Sequence, residues 1–390
     1  MNELLRSFRL YVGRTTLFFG IGALGEAFKE SEVAGAFRKP LVVIGGASAE
    51  VSGALGELLS LLRGLGASPS IYRGVKPNPT ISQAEEVADR CRAESCDSFI
   101  AVGGGSVIDV AKAARAAVAG GGRVADYFYG RRKLGGDLPL MAINLTHGTG
   151  SEVDRYAVLT DEATKEKRGF QAGYPSVGVD DPRYTLSLPR SQTLYTSIDA
   201  FAHGFESATS RSSSPFTELL GEEIARMVFA NLPVALRDPR DLGARYNLMF
   251  AAALGGVSID HALTHVGHGI EHALSGMNPS LPHGAGLAII YRALIKHVYR
   301  ALPETCHRLL RHVDPGLRPS PDDAERAQKS FNQFLDSVGF GEGLSDYGFQ
   351  PEDVRAAAKV LMRNTMRRYI DLAPIKVTEK FITDLLDEVV

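Results

Sequence analysis

Cysteine is scarce in this 390-residue chain. Cys91, Cys96 and Cys306 are too few and too scattered for a disulfide framework or a four-thiolate zinc site, and a reducing cytoplasm is the expected setting. No charge of one sign dominates. The 43 basic and 45 acidic residues leave a formal net charge of -2, without the electrostatic footprint of a nucleic-acid or membrane-surface partner. Long hydrophobic runs are missing as well. Glu3, Arg6, Arg9 and Arg14 interrupt the early apolar stretches, and none of these approaches a signal core or a membrane span. What remains is the expectation of a soluble, untargeted protein with a small-molecule partner.

A hydrophobic content of 44% allows a large core, and the length exceeds a single unit of roughly 100–200 residues. Two domains are expected. Between about residues 36 and 185, short β-branched runs (Leu41 to Ile44, Phe99 to Val102, Leu140 to Ile143) alternate with helical patterns such as Val51 to Leu65. That rhythm implies βαβ units and a parallel sheet. After about residue 190 strand signals fade, and Glu218 to Leu236, Ala324 to Val338 and Pro351 to Met366 carry helical spacing. Pro182 and Pro189 punctuate the join, because proline continues neither ladder. The predicted architecture is therefore an α/β nucleotide-binding domain over 1–185 and an all-helical metal-binding and substrate domain over 186–390, with Ser210 to Ser214 as a loop between helices.

Directly after the run Phe99 to Val102 comes GGGSVIDVAK, Gly103 to Lys112, leading into an alanine-rich helix. Three glycines let backbone approach a phosphate closely, the helix start offers N–H groups and a positive dipole end, and Ser106 adds a hydroxyl. This is not the GxGxxG fingerprint, and alone it also fits a tight strand-to-helix turn. A second glycine-rich segment, THGTGSEV from Thr146 to Val153, follows another apolar strand and carries hydroxyls too. Both loops would leave carboxyl ends of parallel strands, where ligands bind. Nucleotide binding is the better reading of the pair.

Six of the ten histidines fall between His203 and His283. Asp199 and His203 stand four residues apart, on one face of a helix, as do His268 and His272 in HGIEH, and His283 follows in LPHG. Any one of these could be a satisfied core histidine. Together they suit a divalent first-row ion such as iron, zinc, nickel or cobalt. His261 and His265 repeat the four-residue spacing and compete as ligands on periodicity alone. HGIEH is not a zincin motif, because Glu271 precedes the second histidine instead of following the first, so hydrolysis is disfavoured.

The order GGGSVIDVAK, THGTGSEV with YAVLTDE, SIDAFAHGFES, HGIEHALSG and PHG closely resembles the iron-containing (group III) alcohol dehydrogenases, over nearly the whole chain. KPNPT at Lys76 to Thr80, Asp181-Pro182 and LSLP at Leu186 to Pro189 add to the match. The resemblance implies a dehydroquinate-synthase-like architecture, with the ion held by Asp199, His203, His268 and His283 and with His261 and His265 at non-ligand positions. It implies that His272 sits beside substrate and nicotinamide as a catalytic residue. Gly104, Gly105 and Ser106 would contact the pyrophosphate, Asp109 would shape the site, and Thr146, Thr149 and Lys167 would lie nearer the ribose and nicotinamide. His147 departs from the small residue usual before GTGSE. Where NAD-preferring members end the first strand with an aspartate, this chain has Gly45-Gly46, and a carboxylate there would repel a 2′-phosphate. NADP(H) is therefore expected to be preferred over NAD(H), although GGASAE brings no arginine or lysine of its own.

The implied activity is that of an alcohol dehydrogenase or aldehyde reductase. A divalent ion with one carboxylate leaves a formal +1 centre that polarises the alcohol or aldehyde oxygen, hydride passes to or from nicotinamide, and His272 with the cofactor ribose hydroxyls relays the proton. A glycerol or polyol dehydrogenase and a dehydroquinate-synthase-like lyase share this architecture, but GTGSE and the HGIEH-to-PHG spacing favour the alcohol dehydrogenase branch. A metal-stabilised nucleotide sensor is the alternative from another class. The family also implies a homodimer. Arg155, beside GTGSEV, could meet an anionic substrate, but a surface ion pair fits it better.

Overall fold

The computed structural model describes residues 8–389, with the backbone alone for residues 8–12. Nine strands form in chain order: β1 (Phe8–Val12), β2 (Thr15–Phe19), β3 (Pro40–Ile44), β4 (Ser70–Arg73), β5 (Ser98–Gly103), β6 (Leu140–Asn144), β7 (Tyr156–Asp161), β8 (Glu166–Gln171) and β9 (Val177–Asp180). Seven of them build one sheet in the order β1-β2-β9-β6-β5-β3-β4, while β7 and β8 form a two-stranded sheet. Every pairing in the large sheet is parallel except the β1–β2 hairpin at its edge. The three apolar runs singled out above are β3, β5 and β6, each buried along its whole length. Strands covered on both faces read as continuous apolar runs, which is why these were legible. β8 was not, because EKRGFQ carries three charges and no apolar alternation.

The described residues divide into two compact units: residues 8–164, 168–189 and 240–249 in the first, and 165–167, 190–239 and 250–389 in the second. Relative to a single division after residue 185, residues 165–167 at the start of β8, residues 186–189 and the segment 240–249, with the start of one long helix, change sides. In the first unit, the period-two alternation of the strands feeds two cores. Leu41, Val43, Phe99, Ala101, Leu140 and Ala142 face the helices Ile81–Glu94 and Gly105–Gly120. Val42, Ile44, Ile100, Val102, Met141 and Ile143 face Ala23–Lys29 and Ala54–Gly64. The helix expected over Val51 to Leu65 is broken at Gly53, whose φ of 84° lies in the left-handed region.

In the second unit no strand occurs after Pro189 among the described residues. Its long helices are Arg190–Thr209, Pro215–Arg237, the later part of Leu242–Ala262, Val266–Met277, His283–Ala301, Ala324–Ser337 and Pro351–Leu361. An aromatic cluster of Phe201, Phe205, Phe229, Tyr291 and Phe331 fills their core, with Phe201 and Phe229 centroids 4.9 Å apart. Ser214 caps the helix Pro215–Arg237 by accepting from Thr217 N, which ends the serine-rich connection. Architecture is thus α/β with a parallel sheet in the N-terminal half and all-helical in the C-terminal half.

Candidate active site

In the first unit, β4 lies on one side of β3 and β5 on the other, so the winding direction reverses between β3 and β5. In open parallel sheets such a reversal opens a crevice outside the carboxyl ends of the strands, where ligands bind. The strand ends concerned are Gly45-Gly46 on β3 and Gly103-Gly104-Gly105 on β5. A Cβ on Gly104 would stand 2.7 Å from Cγ2 of Thr146, and one on Gly105 2.5 Å from Cγ2 of Thr149. The two glycine-rich loops can interlock only because these positions lack side chains. Gly104 is the N-cap of the helix Gly105–Gly120 and contributes no side-chain bond; Val107 N and Ile108 N bond its carbonyl, and the N–H groups ahead of them face the positive end of the helix, where a ligand can take them. Ser106, Thr146 and Thr149 are all half-buried beside that helix start.

A buried polar chain locks this arrangement from beneath. Asp109 accepts from Ser151 Oγ at 2.6 Å and from Val158 N at 2.9 Å. Lys112, fully buried, donates to Ser151 Oγ, Asp154 Oδ1 and Tyr156 O at 2.8, 2.9 and 2.8 Å. Asp109 therefore has its carboxylate turned toward the second loop, consistent with shaping the site. Lys112 and Asp154 escaped the sequence reading, since a lysine in an alanine-rich helix usually signals a solvated face.

In the second unit, the helix Arg190–Thr209 presents Asp199 and His203, the helix Val266–Met277 presents His268 and His272, and His283 opens the helix His283–Ala301. Gly284 makes this convergence possible: a Cβ there would lie 2.0 Å from the carbonyl oxygen of Tyr195, so only glycine lets the last helix press against the first. Three imidazole nitrogens surround one carboxylate oxygen. The Nε2 atoms of His203, His268 and His283 stand 3.5, 3.6 and 3.5 Å from Asp199 Oδ1. Asp199 Oδ1 and His268 Nε2 are buried without a hydrogen-bond partner. Bonds of 2.0–2.2 Å at tetrahedral angles separate neighbouring ligands by about 3.4 Å, and Asp199, His268 and His283 offer ligand atoms that all lie within 4.8 Å of one another, so these three fit a single divalent ion, with His203 Nε2 meeting the same carboxylate oxygen. Burial opposes charge on Asp199, yet His203 and His283 hold its carboxyl well below the usual range.

Two buried carboxylates brace the imidazoles from behind. Glu206 Oε2 lies 3.2 Å from His268 Nδ1, and the other oxygen accepts from His268 N at 3.0 Å and Tyr291 Oη at 2.9 Å. Glu271 Oε2 contacts His283 Nδ1. Such partners fix the tautomer and aim the opposite nitrogen. Lys167 Nζ lies 3.3 Å from Glu271 Oε2 and donates to Ser275 Oγ at 2.9 Å. Its ammonium thus supports the imidazole cluster, on the helix that carries His272. Sequence carried a signal for both carboxylates, the parallel strings His203-Gly-Phe-Glu206 and His268-Gly-Ile-Glu271, but helical spacing does not reveal that each serves a histidine on another helix. His272 is buried, with Nδ1 3.0 Å from Tyr369 Oη, which Arg368 also contacts at 2.8 Å. His265 instead caps its own helix, and His261 bonds Val257 O at 2.8 Å, so neither joins the cluster.

Residues 14–182 match the family model for iron-containing alcohol dehydrogenase, and 193–390 match the model for the C-terminal part of the Fe-containing alcohol dehydrogenase family. The chain belongs to the iron-containing alcohol dehydrogenases. It is an oxidoreductase acting on alcohols and aldehydes with a nicotinamide cofactor. The long-chain primary alcohol dehydrogenase AdhA of Thermoanaerobacter ethanolicus is 34% identical over 96% of both chains. Among solved members of the family, the archaeal Red Sea brine pool enzyme ADH/D1 superposes with a TM-score of 0.89 at 26% identity, covering 98% of both chains. The NADH-dependent butanol dehydrogenase A of Thermotoga maritima gives 0.88 at 28% identity, covering 99% of both. Among the described residues, no helix is long and apolar enough to cross a membrane.

Proposed function

We propose that this iron-containing alcohol dehydrogenase interconverts primary alcohols and aldehydes, with Asp199, His203, His268 and His283 holding one divalent first-row ion and with NADP(H) preferred over NAD(H). The observation that carries the reading is the convergence of three Nε2 atoms on the unbonded oxygen of Asp199. When bound, the ion supplies Lewis-acid polarisation of the substrate oxygen, and the nicotinamide exchanges the hydride. Iron or zinc both suit one carboxylate and three imidazoles. The similarity to an enzyme named for long-chain primary alcohols supports primary alcohols as the substrate class.

The chain's own groups do the rest. Gly104, Gly105 and Ser106 bind the pyrophosphate, with Thr146 and Thr149 alongside and Asp109 fixing the loop that carries them. Gly45 admits a 2′-phosphate by offering no carboxylate. His272 is the proton-handling group: burial, then the charge of Lys167, hold its imidazole well below the ordinary histidine range, so it stands neutral, with Nδ1 beside the Tyr369 hydroxyl. Lys167 acts through Glu271. A reducing compartment is supported by Cys91, Cys96 and Cys306, all free thiols. The family likeness supports a homodimer.

The test is NADPH and NADH oxidation with a panel of aldehydes, using protein stripped of metal and refilled separately with iron, zinc, nickel and cobalt. Activity that requires metal and favours NADPH is expected. Folded protein inactive with every ion would sink the catalytic assignment, and faster NADH oxidation would overturn the cofactor preference.

A further inference from the structure

The segment after β3, Gly45-Gly46-Ala47-Ser48-Ala49-Glu50, brings no cation to a 2′-phosphate. The sheet supplies one from the neighbouring strand. β3 and β4 pair with Ile44 opposite Arg73, and the amide of Gly74 lies 3.2 Å from each of the carbonyl oxygens of Ile44 and Gly45. Arg73 therefore leaves the sheet beside the Gly45-Gly46 turn. Its Nη1 is bonded to the carboxylate of Glu50, which stands on the short helix Ser48–Val51 following that turn. A Cβ on Gly46 would meet nothing within 4 Å, so the turn is open on that side.

We propose that Arg73 is the residue that binds the 2′-phosphate of the cofactor, and that Glu50 is the carboxylate it exchanges for that phosphate. The inference rests on reading the Gly45 and Gly103 loops as a dinucleotide site. Three physical facts lead to it. In sheets of this kind the ribose of the adenosine end is met at the strand next to the phosphate loop, and an arginine nearby accommodates the 2′-phosphate. Guanidinium matches phosphate in a two-bond fork, with stronger hydrogen bonds than neutral partners give. The Arg73–Glu50 pair has side chains 56% and 40% accessible, and exposed pairs of that kind contribute little, so giving up Glu50 costs little. With Arg73 absent, Glu50 would instead repel the phosphate. One pair thus sets the sign of discrimination.

Fluorescence titration of the parent protein, Arg73→Ala and Glu50→Gln with NADPH and with NADH, at one fixed low salt concentration, tests this. Arg73→Ala weakens NADPH on the order of 10- to 100-fold, as expected for hydrogen bonds to a charged group, while NADH changes less than about twofold. Glu50→Gln strengthens NADPH and leaves NADH unchanged. An unaltered NADPH-to-NADH affinity ratio in Arg73→Ala overturns the inference alone, as does weaker NADH binding in Glu50→Gln, which would make Glu50 an acceptor for ribose hydroxyls. A parent protein that binds neither nucleotide overturns the dinucleotide site and this inference with it.

Discussion

His147 Nε2 lies 3.0 Å from Nη1 of Arg245, and both side chains are fully buried. Burial, then the guanidinium, push the imidazole down to about 3, so His147 is neutral and Nε2 accepts the hydrogen bond. The residue that departs from the family's small one in THGTGSEV is thereby explained: it ties the loop carrying Thr146 and Thr149 to Arg245, in the segment of residues 240–249 that belongs to the first unit. His147→Ala is expected to cost about 2 kcal/mol of stability, the scale of a hydrogen bond to a charged group, and to weaken nicotinamide cofactor binding. His147→Gln, which keeps an acceptor, should recover part of both. Urea unfolding and cofactor titration of the two variants check this, and equal losses in both would show that ring packing matters instead of the hydrogen bond.

Lys112, fully buried, has its three donors satisfied by Ser151, Asp154 and Tyr156. Removing one partner of a buried pair leaves an uncompensated charge, which typically costs about 3–5 kcal/mol. Lys112→Met should destabilise on that scale, and Lys112→Met with Asp154→Asn should lose less than the single variant. Chemical denaturation of both proteins decides it. A double variant worse than the single one would mean that the pair is dispensable and the volume is not.

The architecture was legible because its strands are buried on both faces and its helices carry regular apolar spacing. The clustering of histidines after Asp199 was legible too, but spacing alone left His261 and His265 in competition, and only the family resemblance singled out His203, His268 and His283. What sequence spacing hides is pairing across elements. Glu206 and Glu271 each stand three residues after one histidine yet brace another. Arg73 is 28 positions from Gly45 and adjacent to it only through strand register. The ion pair of Lys167 with Glu271 likewise depends on a fold that no local pattern encodes.

Glu152, fully buried, has neither carboxylate oxygen hydrogen-bonded. Burial pushes its carboxyl up from 4.5 to about 7, so the unfolded chain releases this proton near pH 4.5 and the folded chain only near pH 7. Between those values the folded state binds more protons, and stability falls as pH rises, by on the order of 3 kcal/mol in all. Below about pH 4.5 this contribution is fully present, and above about pH 7 it changes no further. Glu152→Gln has no such proton to lose. Urea midpoints of parent and variant should therefore diverge in the variant's favour as pH is raised through this window, and a pH-independent difference would show that Glu152 does not titrate there.

Glu271 stands between Lys167 and His283, and of the proposed ligands His283 is the most exposed, because it opens its helix and its side chain is 25% accessible. If Glu271 aims that imidazole, Glu271→Gln should weaken metal affinity by about 10- to 100-fold, the usual effect of removing a partner of a metal-binding histidine. Asp199→Ala, which removes the proposed carboxylate ligand, should abolish tight binding. Competition of cobalt-loaded protein with a chelator measures both. Thermal melts report the same quantity, since an ion present at 100 times its dissociation constant stabilises the parent by about 2.7 kcal/mol, and a tenfold weaker site loses roughly half of that. Unchanged metal affinity in Glu271→Gln, with the parent binding tightly, would mean that Pro282 and the helix start hold His283 in place, and that Glu271 serves only to neutralise Lys167.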